Sequence, residues 1–373
     1  MPRLQVQNSL RFDKEGNPKL KLQEAILVGN YANQITFSEL TLDMYRMLLS
    51  LEREPSAVPG QGKTTGQLSV PVANPGDQSE QQQDDPQDKT AATRRTNPHK
   101  CLLHRPTFSQ LFYYLTSSFK ELTENSALLL YLSADGAKRA TKSDQNSESY
   151  TGGIATAVNS NRRATDRVDP EQALLVNTLH PNDIVPLTRK PLFLVVDSTN
   201  STAFKTFPKV FNQPFICLMS PTEYPSTVKD TTQIGGLFTL FLHAPLKGIT
   251  FICDLNQINA DVWSKSIEIA DSAERAVVDL IDQDAALDKS FKRFSQDDFL
   301  RSFISRFVLC SALLTYHSAF KDAKHLPSSY PPLSASILTS PELIGKVREL
   351  VNALGVDALY SFPDSHAEPT SSG

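Results

Sequence analysis

Three short stretches of this chain are apolar throughout: residues 127–132 (ALLLYL), 191–196 (PLFLVV) and 214–219 (PFICLM). A strand with one face in water alternates apolar and polar side chains, so runs without alternation require cover on both faces. Each run is too short for a typical helix, and amphipathic segments lie between them. Parallel strands joined by helical crossovers satisfy both conditions. The expected fold is therefore α/β, a mainly parallel Rossmann-like sheet flanked by helices.

The remaining chain supports that pattern and adds a helical C-terminal part. Residues 25–28 (AILV) end at Gly29-Asn30, after which Thr36 and Glu39 form a capping box. Phe37, Leu40, Met44, Met47 and Leu51 then share one face of a predicted helix through Glu54. The signature nearly repeats at Thr107 and Gln110, with Phe108, Leu111, Leu115, Phe119 and Leu122 on one face. Residues 237–253 fit either two strands or a Pro-broken helix, because periodicity does not separate short apolar runs. Further on, Trp263, Ile267, Ala270, Val277 and Ile281 mark a helix over 261–282. Ser295 with Asp298 predicts the start of another, running to about Ala323 with an apolar face wide enough to be buried. A Pro-rich break over 325–332 and a helix over 341–354 close the pattern.

Two polar stretches interrupt it. Residues 55–98 are rich in Gly, Pro and Gln and poor in large apolar side chains, so burial cannot offset the entropy of ordering them. The expected organisation is a first β-α unit over 1–54 and a disordered insertion over 55–98. The rest of the α/β core occupies 99–256, with a disordered loop over 134–170. A helical part packed on the core follows over 257–360, and a disordered tail over 361–373.

Composition narrows function. Net charge is -4 with pI near 6.0, so no basic surplus is present to neutralise nucleic-acid phosphates, and direct nucleic-acid binding is not expected. The four cysteines are scattered, without a CxxC pair, and read as buried thiols of a reducing compartment. No membrane span is expected either: His243, Pro245 and Lys247 interrupt the apolar region at 237–253, where a span needs about 20 apolar residues.

Several motifs carry chemistry in other proteins. Residues 57–64 (AVPGQGKT) approach a phosphate-binding loop, but Ala57 stands where glycine is required and the match lies within the polar insertion. Asp197, Thr199 and Ser201 fit the D-x-[ST]-x-S spacing by which von Willebrand A-type domains hold Mg²⁺ through hard oxygen ligands, with Thr222 and Asp254 as candidate additional suppliers. Against that stands capping: Ser, Thr and Asn at a strand end commonly start the next helix. Ser220 with Asp197 and either His180 or His243 lacks the G-x-S-x-G elbow of a hydrolase. Basic pairs at Arg94-Arg95, Arg162-Arg163 and Arg189-Lys190 read as solvated loop charge.

Five separated segments, in one order, resemble the SCAI (suppressor of cancer cell invasion) family: LVGNYANQITFSELTLDMYRMLLSLEREP (27–55), RRTNPHKCLLHRPTFSQL (94–111), TRKPLFLVVDSTNS (188–201), LFTLFLHAPL (237–246) and DDFLRSFISRFVLCSA (297–312). The resemblance spans about 25–359 and corresponds to the family's C-terminal part. It implies a nuclear and cytoplasmic transcriptional corepressor that acts by protein contact, without catalysis and without a cofactor. It further implies binding to the myocardin-related transcription factor coactivator and, through it, to the serum response factor complex. Transcription downstream of Rho signalling would be inhibited and cell migration limited. Formin and DNA-repair proteins are further implied partners. Two alternatives remain beside it: a Mg²⁺-dependent protein-binding site at Asp197, Thr199 and Ser201, and a nucleotide-binding or hydrolytic enzyme built on the same sheet.

Overall fold

The computed structural model describes residues 19–30, 43, 46–49, 51, 97–137, 152–157, 177–208, 210–228 and 235–363. The capping box at Thr36, the segment 57–64 and the basic pairs Arg94-Arg95 and Arg162-Arg163 lie outside them. So does the polar insertion up to residue 96. Two compact units are distinguished, Glu52–Asn97 and the remainder of the chain; everything below concerns the second.

Its centre is a six-stranded sheet in the order β2-β1-β3-β7-β8-β9. The strands are β1 (Lys21–Asn30), β2 (His99–His104), β3 (Ser126–Ala134), β7 (Leu192–Asp197), β8 (Phe215–Met219) and β9 (Ser328–Tyr330). All pair in parallel except β9, which runs antiparallel to β8. Every residue of β3, β7 and β8 is buried, as their unbroken apolar runs require.

Alternate side chains of the same strands enter two separate cores. Leu27, Leu129, Tyr131, Phe193, Val195, Ile216 and Leu218 join one, together with Met47, Leu51 and most of the C-terminal helices. Ile26, Leu128, Leu130, Leu194, Val196, Cys217 and Met219 join the other, with Leu111, Leu115, Ile184 and Phe204. This division follows from right-handed crossovers. The chain leaves β1 for one side and carries Met47 and Leu51 across the first face. It then reverses direction, so the connections β2 to β3, β3 to β7 and β7 to β8 cover the second face.

Helix α1 (Phe108–Glu121) supplies the first of those covers, and its capping box is formed as predicted: the Thr107 hydroxyl accepts from the Gln110 amide at 3.3 Å. The C-terminal end of α1 is held by Lys190, whose Nζ donates to the carbonyls of Phe119 and Leu122 at 2.8 and 2.7 Å. Arg189 stacks over Phe211 at 5.2 Å. The pair read from sequence as solvated loop charge is thus structural, because a cation satisfies helix-terminal carbonyls that lack intrahelical partners.

The first face is covered by helices beginning at Leu237. Residues 237–253, left open between two readings, form α3 (Leu237–His243) and α4 (Pro245–Ile252), broken at Pro245, which lacks the amide needed to continue a helix. Helix α5 (Ala260–Gln283) is followed by α6 (Lys289–Phe294) and α7 (Asp298–Tyr316), and α9 (Pro341–Ala353) closes the layer. Two short single-turn helices are also present among the described residues, α2 (Pro181–Ile184) on the second face and α8 (Ala335–Leu338) ahead of α9.

Helix α7 has the length and apolarity of a membrane span, but twelve of its residues, from Leu300 to Leu314, are buried in the core. Its cap is Asp297 rather than Ser295, with Oδ1 accepting from Phe299 and Leu300; Oδ2 accepts from the Leu22 amide, which ties the helix to β1. It ends at Tyr316 instead of about Ala323. The Pro-rich break at 325–332 contains β9, an edge strand stopped by Pro331, a position that tolerates the missing amide.

The stretch 134–170, expected as one disordered loop, is ordered in part. Residues 136–137 (β4) and 153–155 (β5) pair with Thr178–Leu179 (β6) in a small antiparallel sheet. Too short to show periodicity, these strands are held by contacts with the main sheet.

Candidate functional site at the carboxyl edge of the sheet

In an open parallel sheet, ligands bind beyond the carboxyl ends of the strands where strand order reverses. Here that point lies between β1 and β3. Among the described residues, the chain itself lies against it. The Asn30 side-chain amide donates to the Ala155 carbonyl at 2.6 Å, the Asp135 amide to the Asn30 carbonyl at 3.1 Å, and the Ala155 amide to the Asp135 carbonyl at 2.9 Å. The β4-β5-β6 sheet therefore sits over the crevice as a plug, with Asn30 buried beneath it.

The loop after β7 fastens the plug from the other side. Asn200 is buried, and its amide nitrogen donates to the carbonyls of Gly153 (3.1 Å) and Ala137 (3.3 Å). Close approach explains three glycines. A Cβ on Gly136 would sit 2.5 Å from the Asn200 Cβ, one on Gly152 2.2 Å from the Ala137 carbonyl, and one on Gly153 2.1 Å from the Leu179 carbonyl. Gly152 also has φ +76°, a left-handed conformation that side chains oppose.

The residues singled out for Mg²⁺ are engaged with different protein partners. Asp197 Oδ2 accepts from the Thr239 hydroxyl at 2.9 Å, Thr199 Oγ1 accepts from the Gly136 amide at 3.2 Å, and the Ser201 hydroxyl donates to the Ser220 carbonyl at 2.7 Å. Thr222 contacts the Lys324 carbonyl at 3.4 Å, and Asp254 accepts from Asn256 at 3.2 Å. The oxygen chemistry suits a hard cation. The arrangement, however, satisfies these groups within the fold, and Asn200 of the same motif acts as a clip. No helix cap by Asn200 is formed: the Ser201–Lys205 turn receives no side-chain bond from it.

Ser220 is equally committed. Its hydroxyl donates to the Ser198 carbonyl at 3.2 Å and accepts from the Ser198 amide at 3.0 Å. His180 Nδ1 lies 3.2 Å from the Gly152 carbonyl and His243 Nε2 2.9 Å from the Met47 sulfur, so neither histidine is directed to Ser220 in these contacts. Burial, reinforced by Arg306 and Arg46, lowers the His243 pKa to about 3 and keeps it neutral.

One feature of the edge is missing from every motif match. Asp43, on the crossover that covers the first face, lies beside Asp197, and its Oδ2 accepts from the Gly236 amide at 2.7 Å. Burial pushes Asp43 up to about 7, with the Asp197 charge adding to the rise; burial also raises Asp197. Asp43 stands in a predicted amphipathic helix, where a carboxylate is expected in solvent, so only the three-dimensional contact reveals it.

The fold and its edge define a doubly wound α/β protein in which, among the described residues, the β4-β5-β6 sheet is bonded to the carboxyl ends of β1 and β3. The profile of the SCAI family, described as Protein SCAI, matches residues 2–320, and the chain belongs to that family. It is 41% identical to mouse Protein SCAI and 40% identical to human Protein SCAI, each over 345 residues covering 92% of this chain and 54% of the relative. A Dictyostelium discoideum Protein SCAI homolog is 29% identical over 454 aligned positions, covering 90% of this chain and 59% of that one. The chain thus spans about half the length of the mouse and human relatives. Among solved structures, Chaetomium thermophilum Raptor is similar in fold, with TM-score 0.50 and 11% identity over 96% of this chain and 31% of that one.

Proposed function

We propose that this chain works as a protein-binding module of a transcriptional corepressor, without catalysing a reaction. Its partner in this reading is the myocardin-related transcription factor coactivator. Binding would inhibit serum response factor-dependent transcription downstream of Rho signalling and limit cell migration, in nucleus and cytoplasm. Family membership supports the regulatory role. The observation that carries the non-catalytic reading is the plug: the place where such sheets hold substrates or nucleotides is taken up by Asn30, Asp135 and Ala155 bonding to one another.

The test is capture of the purified coactivator by this chain, in Mg²⁺ and in EDTA, beside an assay for nucleotide turnover. Capture that survives EDTA, with no turnover, is the expected result. Loss of capture in EDTA without unfolding would favour the Mg²⁺-dependent alternative at Asp197, Thr199 and Ser201, and turnover would favour an enzyme.

A further inference from the structure

Helix α7 ends at Tyr316, and the residues just beyond it receive the segment 357–362. The Ser318 amide donates to the Leu359 carbonyl and the Ser361 amide to the Tyr316 carbonyl, both at 2.9 Å, so His317 and Tyr360 stand opposite each other in an antiparallel bridge. Aromatic contacts fasten the segment further. Phe362 packs on Tyr316 at 5.3 Å and meets the Arg348 guanidinium of α9 at 5.1 Å, and the Tyr360 hydroxyl lies 4.0 Å from the Cys253 sulfur just beyond α4.

His317 is buried at the centre of this bridge. Its ring meets Tyr360 at 5.0 Å and Phe320 at 5.3 Å, both edge-to-face, and Nδ1 accepts from the Ala319 amide at 3.2 Å. An accepting Nδ1 places the ring proton on Nε2, which has no hydrogen-bond partner among the described residues. A second proton would enter at Nδ1 against another donor, leaving a buried cation with neither nitrogen paired. We propose that residues 357–362 form a strap that neutral His317 holds closed, and that protonation of this ring releases it and uncovers Cys253.

The groups around the ring leave it as the local titrating element. Burial lowers the His317 pKa below the ordinary histidine range. Burial raises Tyr360 well above its own range, Cys253 to about 11, and Tyr316 as well, so all three stay protonated near neutrality. Arg348 carries fixed charge. Lys321 and Asp322 after α7, Asp254 after α4 and Asp357 at the start of the strap are all exposed, and His325 contacts Phe320 at 6.3 Å. A histidine depressed in the closed state and ordinary in the open one leaves closure at full strength above about pH 6.5 and weakens it as pH falls further.

Hydrogen exchange of this chain from pH 7.5 to 5, divided by the intrinsic exchange rate, tests the strap. Opening of peptides covering 316–320 and 357–362 should be constant above about pH 6.5 and rise by up to about tenfold per pH unit below it, while β3 stays flat. The Hε1 resonance of His317 should titrate with a midpoint below about 6.5. His317→Phe keeps an aromatic ring without a titrating nitrogen, and His317→Asn keeps an acceptor for the Ala319 amide, so either should flatten the profile. His325→Gln should leave the slope in place. A flat wild-type profile, a His317 midpoint at or above about 6.5, or a slope that survives in either folded His317 variant or is lost in His325→Gln would overturn the proposal.

Discussion

The Asn30 side chain reaches the Ala155 carbonyl at 2.6 Å, joining the last residue of a central strand to a small sheet 125 residues further along the chain. This bond places polar backbone over the crevice of the main sheet while satisfying it, which buried polar groups require. The DSTNS loop completes the arrangement from the neighbouring side: Asp197 bonds Thr239, Thr199 bonds Gly136, Asn200 bonds Gly153 and Ala137, and Ser198 and Ser201 both bond Ser220.

Asn200→Ala should release the plug. Removing a buried amide that bonds two carbonyls takes away two hydrogen bonds, at a cost of about 1–3 kcal/mol in all. Chemical denaturation should report that loss, and hydrogen exchange should rise at 153–155 while β3 and β7 remain protected.

Two glycine substitutions should act with opposite sign. A Cβ at Gly153 meets the Leu179 carbonyl at 2.1 Å, so Gly153→Ala must push β5 and β6 apart and destabilise. Gly345, within α9, has nothing within 4 Å of its Cβ direction, and Gly345→Ala should stabilise by about 0.5–1 kcal/mol through helix propensity. Thermal melts of the two variants check the contrast.

Lys190→Met retains much of the aliphatic stem but removes the cation that bonds two carbonyls at the end of α1. Charge-assisted bonds of this kind contribute about 1.5–3 kcal/mol, and a loss near the lower end is expected because the side chain is partly solvated. Urea unfolding measures it, with Lys120→Met as the comparison: Lys120 is exposed on the same helix and should change stability little.

How much of this was legible follows from side-chain patterning. Uniformly apolar runs announced β3, β7 and β8 because burial on two faces leaves no room for polar residues. The plug was not legible: strands of two and three residues have no period, and Gly136, Gly152 and Gly153 read as loop residues until their neighbours are seen. Asn200 and Ser201 looked like helix caps because capping and bridging use the same side chains. Asp43 was invisible for a different reason, since its partner Asp197 is 154 positions away and only right-handed crossover geometry brings the two together.

The account's central claim is that this chain acts through a surface and not through a ligand held in its crevice. Equilibrium binding of the purified chain to the myocardin-related coactivator, measured with Mg²⁺ and with EDTA and repeated with Thr199→Ala, tests it most directly. Saturable binding of equal affinity in all three conditions is the expected result. An absence of binding, or binding that disappears with EDTA while the fold persists, would contradict it.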